Sequence, residues 1–158
     1  MMPTPSQTLQ RPTHDEIAVA IHPIIAAEIT IRSRVINGTE EKVLSVLDTV
    51  GLDVFGSRSC FFGDSEMVLI VVSDASPARQ ALEAAGFECQ KIASVVAVPM
   101  PTADIKAAVL ASLMNAGISI LYCYSLCPAS SDDCLILRTA DDELALRVIE
   151  GGRVSQAA

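Results

Sequence analysis

The chain has no tryptophan, two tyrosines and four phenylalanines, so aromatic residues fill only 4% of its 158 positions. Any core must be built from Ile, Val, Leu and Ala. Basic residues are also scarce: 11 Lys and Arg stand against 19 Asp and Glu, giving a formal charge of −8 and a pI near 4.6. Phosphate would be repelled, and no Lys/Arg run makes a local exception, which excludes nucleic acid as a partner. No apolar run reaches the roughly 20 residues of a membrane span. The longest candidate, Ile17 to Ile31, is interrupted by His22, Pro23, Glu28 and Thr30. Met1 to Thr13 holds Pro3, Pro5 and Pro12 and lacks the basic start and apolar stretch of a signal peptide, so residues 1–22 are expected to be a disordered tail.

Catalytic sets are missing too. The sequence has no G-x-S-x-G, G-x-x-x-x-G-K, G-x-G-x-x-G or H-E-x-x-H. Its only histidines, His14 and His22, lie at one end, leaving few groups for general acid–base work. Asp132-Asp133 and Asp141-Asp142-Glu143 fall in turns and helix starts, where solvation and capping account for them. A non-enzyme needing no cofactor is expected. Cys60, Cys89, Cys123, Cys127 and Cys134 form an odd set, ordinary for reduced thiols in the cytoplasm. Cys123-x₃-Cys127 with Cys134 lacks C-x₂-C spacing and a nearby His, so buried thiols, not metal ligands, are expected.

What is present is a hydrophobic share of 51% and an internal repeat. A gapless shift of 66 residues sets Gly51 on Gly117 and Gly86 on Gly152. It also sets Val43 on Val109, Leu44 on Leu110, Leu47 on Leu113, Leu69 on Leu135 and Ile70 on Ile136. In the first copy Ile24 to Ser33 alternates with polar Glu28, Thr30 and Arg32, a strand buried on one face. Asn37-Gly38-Thr39 breaks it, Thr39 can cap a helix opened by Glu40 and Glu41, and Val43, Leu44, Val46, Leu47 and Val50 keep helical spacing to Gly51. Strands are predicted at Leu52 to Phe62 and Glu66 to Ser73, joined by Gly63-Asp64. A helix follows from Ser76-Pro77 to Gly86, then a strand from Phe87 to Ile92. The second copy repeats this: a strand near Ser94, a helix from Ala103 to Gly117, strands at Ile118 to Leu126 and Asp133 to Thr139, and a helix from Asp141 to Gly151-Gly152. Only Arg153 to Ser155 remain for its last strand, which is short or completed by a neighbour. The fold class is α+β: two ferredoxin-like βαββαβ units in tandem, 23–92 and 93–158, antiparallel sheets with helices on one face.

Val50-Gly51-Leu52-Asp53-Val54 and Ala116-Gly117-Ile118-Ser119-Ile120 resemble the "AGINI" stretch that opens the second strand of an ACT domain. Ala84-Ala85-Gly86-Phe87 resembles the "EAGF" closing the first unit of tandem ACT proteins, and Leu121-Tyr122-Cys123-Tyr124 resembles their "EYMY". The likeness spans about residues 24 to 155. It implies a regulatory module that binds an amino acid or similar small molecule between units, near the first strand–helix loop and the start of the second strand. Carried onto this chain, the ligand-binding residues would be Asn37, Gly38 and Thr39 as backbone donors to a carboxylate, with Leu52 opposite and Asp53 for an ammonium group. Ile118 and Ser119 of the other unit would line the far side. Gly38 keeps the family's loop glycine; the matching position in the second copy is Asp104, which sets a negative charge there or caps its own helix. Of Tyr122 and Tyr124, one is expected to pack and one to face an interface. The implied partners are an amino-acid ligand and a second copy in a homodimer or other homo-oligomer. The competing expectation is an ACT-like interaction module that dimerises or binds a protein and has lost its ligand.

Overall fold

The computed structural model describes residues 22–34, 38–99, 103–126 and 133–151. The proposed tail through residue 21, Asn37, Cys127 and Arg153 to Ser155 lie outside them. The order is β1 (Ile24–Ser33), α1 (Thr39–Thr49), β2 (Val54–Phe62), β3 (Ser65–Val72), α2 (Ala75–Ala84), β4 (Cys89–Pro99), α3 (Ala103–Asn115), β5 (Ile120–Leu126), β6 (Cys134–Thr139) and α4 (Asp142–Gly151). The strands form one antiparallel sheet in the order β2-β3-β1-β4-β6-β5.

Instead of a strand closing one unit and another opening the next, residues 89–99 run through as the single strand β4, so the 92/93 boundary falls inside it. The apolar series Ala93, Val95, Val96, Ala97 and Val98 is buried on both faces and offers no turn residue at which to break. Its first half pairs with the second half of β1, down to Ile31 opposite Cys89. Its second half pairs with the start of β1, Ile24 opposite Ala97, and with β6 on the other side. The place beside the end of β4, which a last strand would fill, is held by β1 of the same chain.

Strand pairing puts Ile25 and Ala27 of β1 on the same face as Val96 and Val98 of β4. That face carries all four helices. Ile29, Ile31, Val68, Ile70 and Val72 bury Val43, Leu47, Ala78 and Leu82 of α1 and α2. Val96, Val98, Leu135 and Leu137 bury Ile105, Val109, Leu113, Ala145 and Ile149 of α3 and α4. The opposite face closes on itself, where Ala26, Val71, Val95, Ala97, Leu126, Cys134 and Ile136 form a third cluster with Phe55 and Tyr124 against it. Leu126 of β5 meets Gly56 of β2, so the sheet is rolled until its two outermost strands touch.

The recurrence of inner-face residues corrects the gapless shift. Val43 and Leu47 match Val109 and Leu113 at 66 positions, but Val68 and Ile70 match Leu135 and Leu137 at 67, as do Ala78 and Leu82 with Ala145 and Ile149. Setting Ile70 on Ile136 would join a residue on the helix side to one on the inner side. A one-residue slip turns every side chain of a strand to the other face, so the shift changes by one between β5 and β6. Helix ends recur as well. Gly51 (φ +69°) bonds to the Asp48 carbonyl while Leu52 bonds to that of Leu47; Gly117 (φ +73°) and Ile118 bond likewise to Met114 and Leu113. Both are Schellman ends, which place a glycine in the left-handed region at C′.

Two helix starts differ from expectation. Gly38, not Thr39, holds the cap position of α1, with φ +84° and no side-chain cap bond. For α2 the cap is Asp74, which accepts from the Ser76 amide at 3.2 Å, two residues before the predicted start. Pro77 fits within the first turn because amides there have no partner inside the helix.

Candidate functional site

The residues assigned to the first loop converge on the start of α1. Gly38 turns the chain with its left-handed φ, and Thr39, the first helical residue, is buried. A side chain at Gly38 would find Glu41 Oε2 3.9 Å from its Cβ. Glu40 accepts a short hydrogen bond from Ser57 Oγ of β2, which fixes the first turn of α1 over the sheet. The positive end of the helix therefore already has two carboxylates beside it, Glu40 and Glu41. Leu52 packs against the α1–α2 core. Asp53 is exposed, and its carbonyl accepts from the Ser73 amide at 3.1 Å, tying the start of β2 to the end of β3.

The second set is placed otherwise. Asp104 is exposed and is the second residue of α3, inside the first turn and not at its cap. Ile118 is buried among α3 and α4, and Ser119 is exposed with its carbonyl accepting from Ala140 at 2.9 Å. What the second half sets against the start of β2 is Leu126, from the other end of β5. Among the described residues no three His, Cys, Asp or Glu side chains are grouped to hold a metal ion, and no helix is long and apolar enough to cross a membrane. Cys60, Cys89, Cys123 and Cys134 are free thiols. Burial in the inner cluster pushes the Cys134 thiol up to about 11.

A polar cluster that sequence reading missed lies on the inner face. Glu28, only 5% exposed, accepts hydrogen bonds from Tyr122 Oη at 2.7 Å and from Tyr124 Oη. The two rings stack with centroids 6.3 Å apart. Tyr122 and Tyr124 thus share one face and one partner, as residues two apart on a strand must, and Tyr124 is the one that packs against the inner cluster. Glu28 looked like a residue on the solvent side of β1; the rolled sheet covers that side with β5.

Burial, reinforced by the Glu28 hydrogen bond, raises the Tyr122 hydroxyl to about 12 and the Tyr124 hydroxyl further still. A phenol whose folded value lies above its unfolded value of about 10 contributes stability that is complete below pH 10 and is lost as pH rises through the folded value. These are the only tyrosines in the chain. A spectrophotometric titration at 295 nm is therefore expected to show almost no phenolate at pH 10.5 in the native protein, against more than half in urea. Absorbance rising with an ordinary midpoint near 10 would show that the hydroxyls are not bonded to Glu28.

The described residues thus form one antiparallel sheet with four helices on one face, folded inward on the other, an α+β architecture. Solved structures agree. Protein BT0572 from Bacteroides thetaiotaomicron matches with a TM-score of 0.63 and 22% identity, over 82% of this chain and 90% of that one. The regulatory subunit of aspartate kinase from Thermus thermophilus matches with a TM-score of 0.55 and 18% identity, over 82% and 95%. The same subunit from Thermus flavus gives 0.52 and 17%, over 84% and 96%. No family model matches the sequence, and no curated protein matches it.

Proposed function

We propose that the chain is a non-catalytic regulatory protein of ACT type, two ferredoxin-like units in tandem, that binds a small molecule with the charges of an amino acid. The observation that carries this reading is the start of α1, where a left-handed glycine with no side-chain cap opens a helix beside Glu40 and Glu41. Backbone amides there suit a carboxylate, and the acidic neighbours suit an ammonium group. The tandem arrangement is supported by cores and helix ends that recur at 66 and 67 positions, and the regulatory role by likeness to aspartate kinase regulatory subunits. Asn37, Gly38, Thr39, Leu52 and Asp53 would form the first site. Asp104, Ile118 and Ser119 would mark its counterpart, at which a buried Ile118 leaves mainly backbone to offer.

A thermal-shift screen against the twenty amino acids tests this. A ligand at a hundred times its dissociation constant stabilises the native state by about 2.7 kcal/mol. A rise with one or a few amino acids, lost in Gly38→Val, is the expected result, because a β-branched residue cannot hold φ +84° without strain. No response to any of them would favour the second reading, a dimerising or protein-binding module. Phe61 and Phe62, 58% and 61% exposed on the edge strand β2, are the surface that reading would use.

A further inference from the structure

The charged side chains of the sheet are sorted by face. Its strands carry the basic residues Arg32, Arg58, Lys91 and Arg138 and the acidic residues Glu28 and Glu66. Register sets every one of the cations on the inner side. Arg58 lies opposite Leu69, Leu69 opposite Thr30 and Thr30 opposite Lys91, while Arg32 lies opposite Met67 and Arg138 opposite Tyr122. On β1 and β3 this line alternates with Ile29, Ile31, Val68 and Ile70, which the helices cover. Of the two acids, Glu66 is on the helix side, and Glu28 is buried beneath its tyrosines. The helices show the reverse balance, with one basic residue each against one to three acidic ones. No run of Lys and Arg marks the basic face along the chain; it is assembled from four strands.

These cations are not spent on the protein itself. Among the described residues the one ion pair is Arg79 with Glu83, on α2. Arg138 donates to the Ser94 carbonyl at 2.8 Å and Arg32 to Ser65 Oγ at 3.3 Å, both neutral acceptors. Arg32, Arg58 and Lys91 are exposed. Between them lie half-buried Thr30, Met67 and Leu69, with Phe62 61% exposed beyond Arg58 on the same side of β2. Neighbouring strands are about 4.8 Å apart, so Arg58 and Lys91 stand about 14 Å from each other, and Arg32 is about 7 Å along β1 from their row. That spread suits several separate carboxylates better than one small anion, and an apolar floor rimmed by arginine is the makeup of a protein-binding surface.

We propose that this part of the inner face, bounded by Arg32, Arg58 and Lys91, docks an acidic segment of another protein in which carboxylates are interspersed with apolar side chains. The surface is separate from the start of α1, so the inference goes beyond the small-molecule reading and does not rest on it. Charge complementarity names the partner: in a chain of net charge −8, this is the face on which the strands gather positive charge. A nucleic acid would bring an unbroken row of phosphates to that net charge, whereas a segment with a few carboxylates meets the three cations and lays its apolar side chains on Leu69, Met67 and Phe62.

The test uses the full chain and a fluorescein-labelled peptide of Glu, Leu and Ala, a counterpart with Gln for Glu, and an oligo-dT of similar length. Fluorescence anisotropy should show the acidic peptide binding, with affinity falling about tenfold between low and physiological salt. R58E and K91E should each weaken it about tenfold and together abolish it, while R147E, an equal change of net charge on exposed α4, should alter it less than about twofold. All three positions are exposed, so each variant should keep the wild-type melting temperature within about 2 °C. Absence of peptide binding, equal binding of the Gln counterpart, or an equal loss in R147E overturns the inference. Tighter binding of the oligo-dT also overturns it and gives the face to nucleic acid. Self-association of the protein alone in sedimentation, abolished by R58E with K91E, overturns it in favour of a second copy.

Discussion

Replacing Glu28 by alanine is expected to lower stability by about 3 kcal/mol, a fall in melting temperature of roughly 10 °C for a chain of this size. The carboxylate receives two hydroxyl donors, and hydrogen bonds to a charged acceptor are worth about 1.5–3 kcal/mol each. Its removal leaves both tyrosine hydroxyls pointing at a partner that is gone, in a cluster otherwise lined by Ala26, Val71, Val95, Ala97 and Ile136. Of the single tyrosine changes, Tyr124→Phe should cost more than Tyr122→Phe, because burial desolvates its hydroxyl more and leaves less water to compensate the lost bond to Glu28. A triple variant, Glu28→Leu with both tyrosines changed to Phe, should recover most of the loss, since removing all partners of a buried polar cluster can be nearly neutral. Urea denaturation measures each midpoint. A Glu28→Ala midpoint equal to that of the wild type would mean that β1 and β5, 94 and 96 residues apart at these contacts, are not joined in solution as they are here.

That contact shows where sequence reading reached and where it stopped. Helices and hairpins were legible because their signals are local. Gly51 and Gly117 follow apolar runs of helical period and end them, and Gly63-Asp64 separates two alternating stretches that do pair, Phe62 opposite Ser65. Glu28 was not legible, because alternation along β1 says which side is polar and not what covers it. The continuous β4 was misjudged for a related reason: a strand that serves two halves of a fold carries the same apolar residues as two strands in succession. The ungapped repeat concealed a one-residue change, since Leu69 on Leu135 looks sound by residue type and fails only by face. Of the candidate site, Gly38 was legible through its asparagine–glycine turn.

Two joints between the halves of the sheet are side-chain contacts of β5. One is polar, Glu28 with its tyrosines. The other is steric, at the far end of the same strand, where Leu126 lies over Gly56. The register of β2 on β3 shifts between Val54 and Gly56, and the corresponding irregularity in β5 falls between Ile120 and Tyr122, again 66 positions on. In β2 the shift turns Phe55 toward the inner cluster and leaves a glycine as the contact surface for β5.

Gly56→Ala is expected to destabilise the protein by about 3 kcal/mol, close to the effect at Glu28. A Cβ at this position would lie 2.8 Å from Leu126 Cδ1 and 2.9 Å from Leu126 Cβ. The methyl could swing away, but Cβ is fixed by the β5 backbone, so one strand must move. Overpacking of this sort costs about 1–3 kcal/mol, and the φ of +157°, which side chains rarely adopt, adds strain of similar size. A double-mutant cycle with Leu126→Ala isolates the part of the overpacking owed to the leucine side chain beyond Cβ. That change alone creates a cavity in the inner cluster and costs about 2–4 kcal/mol, but it removes the Cδ1 contact, so Gly56→Ala should cost about 1–2 kcal/mol less in its background. Equal costs in both backgrounds would assign the penalty to the Gly56 backbone and the contact with the Cβ at position 126, neither of which Leu126→Ala removes. A clear coupling would show that the outermost strands of one sheet close against each other through a single glycine and the leucine above it.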